Sequence, residues 1–498
     1  MQPEGFIGRF ADMARAEPDR VFARFDGAVL TFGALHQASD ALASGLRSAG
    51  VARGDRVAVM LRNSPTALSL LLALAKAGIV WVPVNVQLRG AGLRYILDHA
   101  APVALIADDD LMALAQDCGA TLPALLWTEA EVTHLPHSAP WAEAPPWAAD
   151  LFSISYTSGT TGPPKGVLVT HRMLRLAGEG ARLVSDAQDG DVFFMWEPLY
   201  HIGGSQLMVL PLLRRVVLHM VSRFSASRFW PDVIASGATQ IHFLGGILQI
   251  LMKQPASPQD RAHAVRIAWG GGCPPEIWTA FEQRFGLRIR ECYGMTEASS
   301  FTTFNDRGVI GSVGRAMPWF DVAVLAPPGE RGEIIVSSPH PLALTPGYFR
   351  NPEATSMTLR EGRLHTGDLG AWDADGNLIF HGRITDSVRV KGENVSAWEV
   401  EHVAAAHPAV EDCAMIGVAS DVGEHDIKLF VQPRPGATLD PEGLWDWLAT
   451  RLATYQRPRY IAFVDAFERT PSQRITKHSL PKDAACWDRL SLAKEPAR

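Results

Sequence analysis

Eleven residues, Tyr156-Thr-Ser-Gly-Thr-Thr-Gly-Pro-Pro-Lys165-Gly166, constrain this chain more than any other stretch. Besides the tyrosine they hold four hydroxyl side chains, three glycines and a lysine, directly after the apolar Leu151-Phe152-Ser-Ile154. Glycine lets a backbone turn its N–H groups toward one point, and hydroxyls and an ammonium add donors there. Such a nest suits a polyphosphate. The spacing Gly159-x-x-Gly162-x-x-Lys165 is not that of a Walker loop, G-x-x-x-x-G-K-[ST]. A plain Gly/Thr surface loop would account for the glycines, but not for this whole composition with the lysine in place.

Composition fits an enzyme with several domains. A chain of 498 residues exceeds one hydrophobic core and implies two or more domains of ~100–200 residues each. A formal charge of −7 without a basic run argues against a nucleic-acid partner. The start carries no basic segment followed by an apolar one, so no secretory leader is expected. The longest apolar helix candidate, 67–75, is far shorter than the ~20 residues that span a bilayer. Cys118, Cys273, Cys292, Cys413 and Cys486 are scattered and form no C-x-x-C pair. They read as reduced thiols in a cytoplasmic protein.

Periodicity predicts an α/β fold. Helices are expected from about Leu30 to Ser48 and over 65–77, with strands over 55–61, 78–84 and 103–107. This alternation points to mostly parallel, helix-covered sheets, and it resumes over 180–300. From about Asp321 short strands and turns (322–325, 332–337) read as a small β-rich subdomain. Beyond Arg383 a compact α+β unit follows, with helices near 397–407 and 441–453 and strands near 412–418, 428–431 and 460–464. The expected architecture is a large multi-subdomain N-terminal domain, 1–384, and a small mobile C-terminal domain, 385–498.

Further motifs follow the glycine-rich run in a fixed order: Glu197-Pro-Leu-Tyr-His201-Ile-Gly-Gly204, Trp269-Gly-Gly-Gly272-Cys-Pro-Pro275, Glu291-Cys-Tyr293-Gly-Met-Thr296-Glu297, His365-Thr-Gly-Asp368 and Gly382-Arg383. Together they resemble the adenylate-forming enzymes: acyl-CoA synthetases, firefly luciferase and peptide-synthetase adenylation domains. The resemblance implies ATP/AMP, Mg²⁺ and coenzyme A as cofactors. It makes Thr157, Ser158, Gly159, Thr160 and Thr161 the phosphate loop, with Lys165 beside it. Gly271 and Gly272 become backbone lining the adenine and acyl pocket, although three glycines after a strand are equally a turn. Tyr293 would stack on adenine, Thr296 would hold the α-phosphate, and Thr296 with Glu297 would serve Mg²⁺. Asp368 would accept from the ribose hydroxyls, and Arg383 would close on ribose and phosphate. His201 matches a gate beside the carboxylate. Alone it reads as a satisfied core histidine, but Gly203-Gly204 behind it are expected to admit close ligand approach.

The C-terminal segment refines this resemblance. Thr385-Asp386 fall where the family hinges between an adenylating and a thioester-forming pose. Lys391-Gly392-Glu-Asn-Val-Ser396 resembles the loop lining the pantetheine tunnel. With Ala262–Glu276 it most resembles the crotonobetaine/carnitine-type acyl-CoA ligases. The family's closing Pro-x-Gly-Lys loop is replaced by Pro471-Ser-Gln473-Arg474, which puts Arg474 at the position of the adenylation lysine. Arginine keeps the charge, but its planar fork is bulkier than an ammonium. Two readings stay open: Arg474, or Lys477 through a shifted loop, does the lysine's work, or the chain only transfers a pre-made acyl-adenylate to CoA. The second resembles the non-adenylating acyl-CoA ligases of bacterial terpenoid-antibiotic pathways and would need a separate adenylating enzyme. A homodimer, a partner carrier protein and a nucleotide-binding protein without catalysis are the other readings. The expected acyl pocket, 196–206, 242–246 and 298–301, is largely apolar. Gly203, Gly204, Gly245 and Gly246 are expected to leave it room.

Overall fold

The computed structural model describes residues 5–136, 141–157, 163–244, 246–384, 387–390, 393–420, 425–452, 454–469 and 475–491. Two compact units emerge: Met1–Val322 with Val336–His365, and Ala323–Ile335 with Thr366–Arg498. The first is α/β and large; the second is smaller and rich in strands. Thr385-Asp386, the expected hinge pair, lies outside the described residues.

Two sheets organise the larger unit. One runs Leu125–Thr128, Ala104–Ala107, Arg56–Met60, Val80–Pro83, Leu151–Thr157, Lys165–Thr170. Its strands are parallel except for the last pair, a hairpin that brackets the glycine-rich loop. Helix Pro65–Ala77 feeds this sheet, and its ends follow local rules: Ser64 Oγ accepts from Ala67 N, proline starts the helix, and Gly78 ends it at φ +61.

The other sheet carries the parallel strands Arg288–Tyr293, Ile267–Gly271, Gln240–Leu244, Val192–Met195 and Val217–Met220, side by side in that order. The chain passes from Val192–Met195 to Val217–Met220 on one flank, then returns to place Gln240–Leu244 on the other. Strand order therefore reverses beside Val192–Met195, and a ligand crevice is expected at the carboxyl ends there. Phe243, Ile241, Trp278, Phe281 and Phe285 build the aromatic-rich core beneath this sheet. Each such side chain contributes ~1.5–3 kcal/mol on burial.

Within the smaller unit, the later part of strand Arg363–Trp372 pairs antiparallel with Leu378–Arg383. A hairpin joins Ser387–Val390 to Glu393–Ser396. A four-stranded sheet runs Val410–Ala419, His425–Pro433, Tyr460–Phe463, Trp487–Asp488, with helices Ala397–Ala405 and Pro441–Ala449. Among the described residues no helix is long and apolar enough to cross a membrane.

His171 carries a testable cost of this fold. It is fully buried, stacked 5.6 Å from Phe6 and edge-on at 5.5 Å to Phe152. Neither ring nitrogen has a hydrogen-bond partner among the described residues. Burial pushes its pKa down, to about 4. The unfolded chain takes up this proton near pH 6.5, so stability is lost as pH falls from 6.5 toward 4. His171→Phe is expected to add about 1–3 kcal/mol and to flatten that part of the curve. Thermal melts at pH 7.5 and 5 check this; an unchanged pH slope counts against it.

Candidate active site

The carboxyl ends of the parallel strands gather most of the sequence motifs of the larger unit. Thr157 and Lys165 face each other in the hairpin register; Ser158, Gly159, Thr160 and Thr161 lie outside the described residues. A Cβ on Gly166 would sit 2.7 Å from Ile154 Cγ2, so glycine is required where the hairpin returns. The hairpin is fastened to the segment Thr345–Phe349. Phe349 N donates to Gly166 O (2.7 Å), Leu168 N to Gly347 O (3.0 Å) and Thr345 Oγ1 to Leu168 O (2.7 Å). Thr345 N also donates to Glu297 O at 2.8 Å. Lys165 Nζ consequently lies 5.3 Å from the Tyr348 ring centroid, and Tyr348 Oη donates to Glu297 Oε1 at 2.9 Å. Lysine, tyrosine and glutamate, far apart in sequence, form one chain of contacts.

Glu297 is 6% exposed and sits in the turn Thr296–Ala298, directly after strand Arg288–Tyr293. A Cβ on Gly294 would lie 1.8 Å from Ser300 O, so this turn closes only over glycine. Ser299, in left-handed backbone at φ 50, donates from Oγ to Ala343 O at 2.7 Å and anchors the turn. Tyr293 is buried at the strand end. On the neighbouring strand, Gly272 N and Cys273 N donate to the Glu291 carboxylate at 2.5 and 3.1 Å. Burial holds Glu291 well above the usual carboxylate range, at about 8. The Gly272 N–H is thus engaged by Glu291.

His201 precedes the short helix Ile202–Ser205. Its Nε2 is buried without a hydrogen-bond partner among the described residues, so it is not a satisfied core histidine. Burial lowers its pKa, while the neighbouring Glu197 charge opposes that shift. The expectation that Gly203 and Gly204 admit a ligand needs correction. A Cβ on Gly203 would meet Glu197 Oε1 at 2.2 Å, and one on Gly204 would meet Pro198 O at 2.1 Å. Both glycines let the chain pack on itself over Glu197. Asn63 clamps this segment from the other sheet's module: its Nδ2 donates to Glu197 O (3.0 Å) and Val221 O (3.2 Å), and its Oδ1 accepts from Leu199 N (2.9 Å).

In the smaller unit, Asp368 and Arg383 are cross-strand partners, with Arg383 Nε 3.2 Å from Asp368 Oδ1. Asp368 is 3% exposed. Lys391, Gly392 and Arg474 lie outside the described residues. Sequence reasoning missed Tyr348, although the Pro346-Gly347-Tyr348 turn was there to be read. It also named the Glu197 and His242 segments separately without pairing them.

The family model for AMP-binding enzymes matches residues 10–349, and that for the AMP-binding enzyme C-terminal domain matches 399–474. A feruloyl-CoA synthase of Amycolatopsis sp is 33% identical over 93% of this chain and 96% of its own length. A crotonobetaine/carnitine–CoA ligase of Salmonella paratyphi A is 28% identical over 94% and 97%. The fold also matches that of an o-succinylbenzoate CoA synthetase from Bacillus subtilis, solved with its acyl-adenylate intermediate. There the TM-score is 0.88 at 23% identity, covering 98% and 99% of the two chains. The chain therefore belongs to the AMP-binding, adenylate-forming enzymes, in their acyl-CoA ligase branch. It is an AMP-forming acid–thiol ligase by class, and the cofactors of that class are ATP, Mg²⁺ and coenzyme A.

The residues fit these groups chemically. Mg²⁺ takes oxygen ligands, keeps several waters and commonly uses one or two carboxylates plus substrate phosphates. A threonine hydroxyl and one buried carboxylate, Thr296 and Glu297, are such a set. Among the described residues no cluster of three or more His, Cys, Asp or Glu forms a self-sufficient metal cage. The buried Asp368 offers two acceptor oxygens on one carboxylate, which suits a ribose diol.

Proposed function

We propose that this chain joins a carboxylic acid to coenzyme A in two steps. The acid's carboxylate oxygen attacks the α-phosphorus of ATP, and pyrophosphate leaves with the electron pair of the broken P–O bond. The CoA sulfur then attacks the carbonyl of the mixed anhydride, losing its proton, and AMP leaves. No protein nucleophile is required, so catalysis rests on positioning and charge stabilisation. The contact chain Lys165–Tyr348–Glu297, beside Thr296 and Tyr293 at the strand ends, supports this reading best.

In this reading Lys165, with Thr157, Ser158, Gly159, Thr160 and Thr161, receives the phosphates. Thr296 donates to the α-phosphate, Tyr293 stacks on adenine, and the Gly271-Gly272 backbone flanks it. Asp368 accepts from ribose, and Arg383, already paired with it, orients that carboxylate and closes on the nucleotide. Glu297 and Thr296 hold Mg²⁺, which when bound offsets phosphate charge. His201 gates the acyl side, and Lys391-Gly392 line the CoA approach. Residues 385–498 turn about Thr385-Asp386 between the two steps. The free thiols of Cys118, Cys273, Cys292, Cys413 and Cys486 fit a cytoplasmic enzyme.

A second reading has one observation in its favour, the arginine at 474. Here the chain performs only the thioester half, on an acyl-adenylate supplied by another enzyme. Assaying the halves separately tests both readings. Carboxylate-dependent pyrophosphate exchange reports adenylation, and thioester formation from supplied acyl-adenylate and CoA reports the second step. Activity in both supports the two-step enzyme, the second alone supports the half-enzyme, and neither overturns both. Thr385→Pro is expected to spare one half over the other; equal loss removes the hinge.

A further inference from the structure

Strand Ile267–Gly271 runs into three consecutive glycines, with Gly270 at φ +153 and Gly272 at φ +98. A Cβ on Gly270 would lie 1.8 Å from Phe243 O, so the fold admits no side chain there. Glycine has the freest backbone of any residue. A run of three keeps one shape only where something grips it.

Glu291 supplies the grip. It is 5% exposed, and its own backbone is held from both sides. Gly270 pairs with it in the sheet register, and Asn305 N donates to Glu291 O at 2.8 Å. From this fixed post both carboxylate oxygens reach the loop: Gly272 N donates to Oε1 at 2.5 Å and Cys273 N to Oε2 at 3.1 Å. An ionised carboxylate accepts at both oxygens, whereas protonation turns one of them into a donor. The full grip therefore belongs to the ionised form. Glutamine would offer one acceptor and point an amide N–H at the second donor.

Burial raises Glu291 to about 8, against the pull of the two backbone N–H groups. The thiols of Cys273, in the loop, and Cys292, on its own strand, face it. Burial and then the Glu291 charge push both thiols up, so they stay neutral. Glu282 and Glu276 of helix Pro275–Phe285 act on Cys273 in the same direction, and Glu197 does so on Cys292. Titration near pH 8 is thus that of the clamp itself.

We propose that Glu291 is a positioning residue for the nucleotide: ionised, it sets the Gly271–Cys273 backbone against adenine, and protonated, it releases one N–H and weakens nucleotide binding. This deepens the ligase reading and rests on it, since that reading assigns the Gly271-Gly272 backbone to adenine.

The test is calorimetric binding of AMP to the full chain at pH 7 and pH 9, which does not depend on Arg474. A phosphate monoester loses its second proton near pH ~6, below this window. Wild-type affinity is expected to tighten about fivefold from pH 7 to 9, the worth of about one net hydrogen bond. Glu291→Gln should bind about fivefold more weakly than the wild type at pH 9 and bring the ratio between the two pH values near one. A residue that merely held the fold together would shift the melting temperature without this pH signature. A wild-type ratio near one overturns the inference and leaves the ligase reading standing. So does a ratio that Glu291→Gln retains. Failure of the wild type to bind AMP at either pH overturns the ligase reading and the inference with it. If Glu291→Gln does not fold, the wild-type ratio alone decides, with thermal melts at both pH values as its control.

Discussion

Arg474→Lys, made together with Gln473→Gly, is expected to raise carboxylate-dependent pyrophosphate exchange on the order of 10²-fold. The transition state at the α-phosphorus is crowded, and a single ammonium can approach between carboxylate and phosphate where a planar guanidinium needs two aligned acceptors. Glycine at 473 restores backbone freedom to the loop. Thioester formation from supplied acyl-adenylate should change little if, as proposed, the C-terminal residues turn between the two steps and take this loop out of the site. The contrast between the two rates is the measurement. Brisk wild-type exchange with no gain in the variant would show that arginine performs the lysine's task, and the half-enzyme reading would be gone.

Glu297→Ala carries the second large effect, an expected fall of about 10²–10³-fold in adenylation. The substitution removes the buried carboxylate proposed for Mg²⁺ and leaves the Tyr348 hydroxyl without its 2.9 Å acceptor. Those two consequences separate experimentally. Tyr348→Phe keeps the carboxylate and should cost much less, whereas Glu297→Ala should also demand more Mg²⁺ for half-maximal exchange. Exchange rates and Mg²⁺ dependence that match the wild type would take Glu297 out of the mechanism.

Local chemistry made much of the fold legible. Helix Pro65–Ala77 matches its predicted bounds because cap, first-turn proline and terminal glycine are all adjacent in sequence. Two C-terminal helices and three strands were also placed, with ends shifted by a few residues: strand His425–Pro433 runs longer than its apolar middle suggested, and the hairpin Ser387–Val390 with Glu393–Ser396 and the short strand Trp487–Asp488 were not foreseen. Candidate residues were readable where a motif is contiguous, as in Tyr293 to Glu297. What escaped is non-local. Tyr348 reaches Glu297 across 51 positions, and Glu197 reaches His242 across 45; no window of periodicity joins such pairs. Gly203 misled for the same reason. Its missing side chain reads as open space, until the fold fills that space with a carboxylate.

Asn63 gives this arrangement an engineering consequence. One amide side chain, 5% exposed, sets the path of the backbone from Glu197 to Leu199 from a module that contributes no residue to the proposed acyl pocket. Transplanting residues 196–206 alone into a relative would therefore move the sequence of the pocket without its scaffold. A graft that keeps this backbone path needs an amide side chain at the position equivalent to 63, and swap libraries drawn only around the acyl group would leave that clamp out of view.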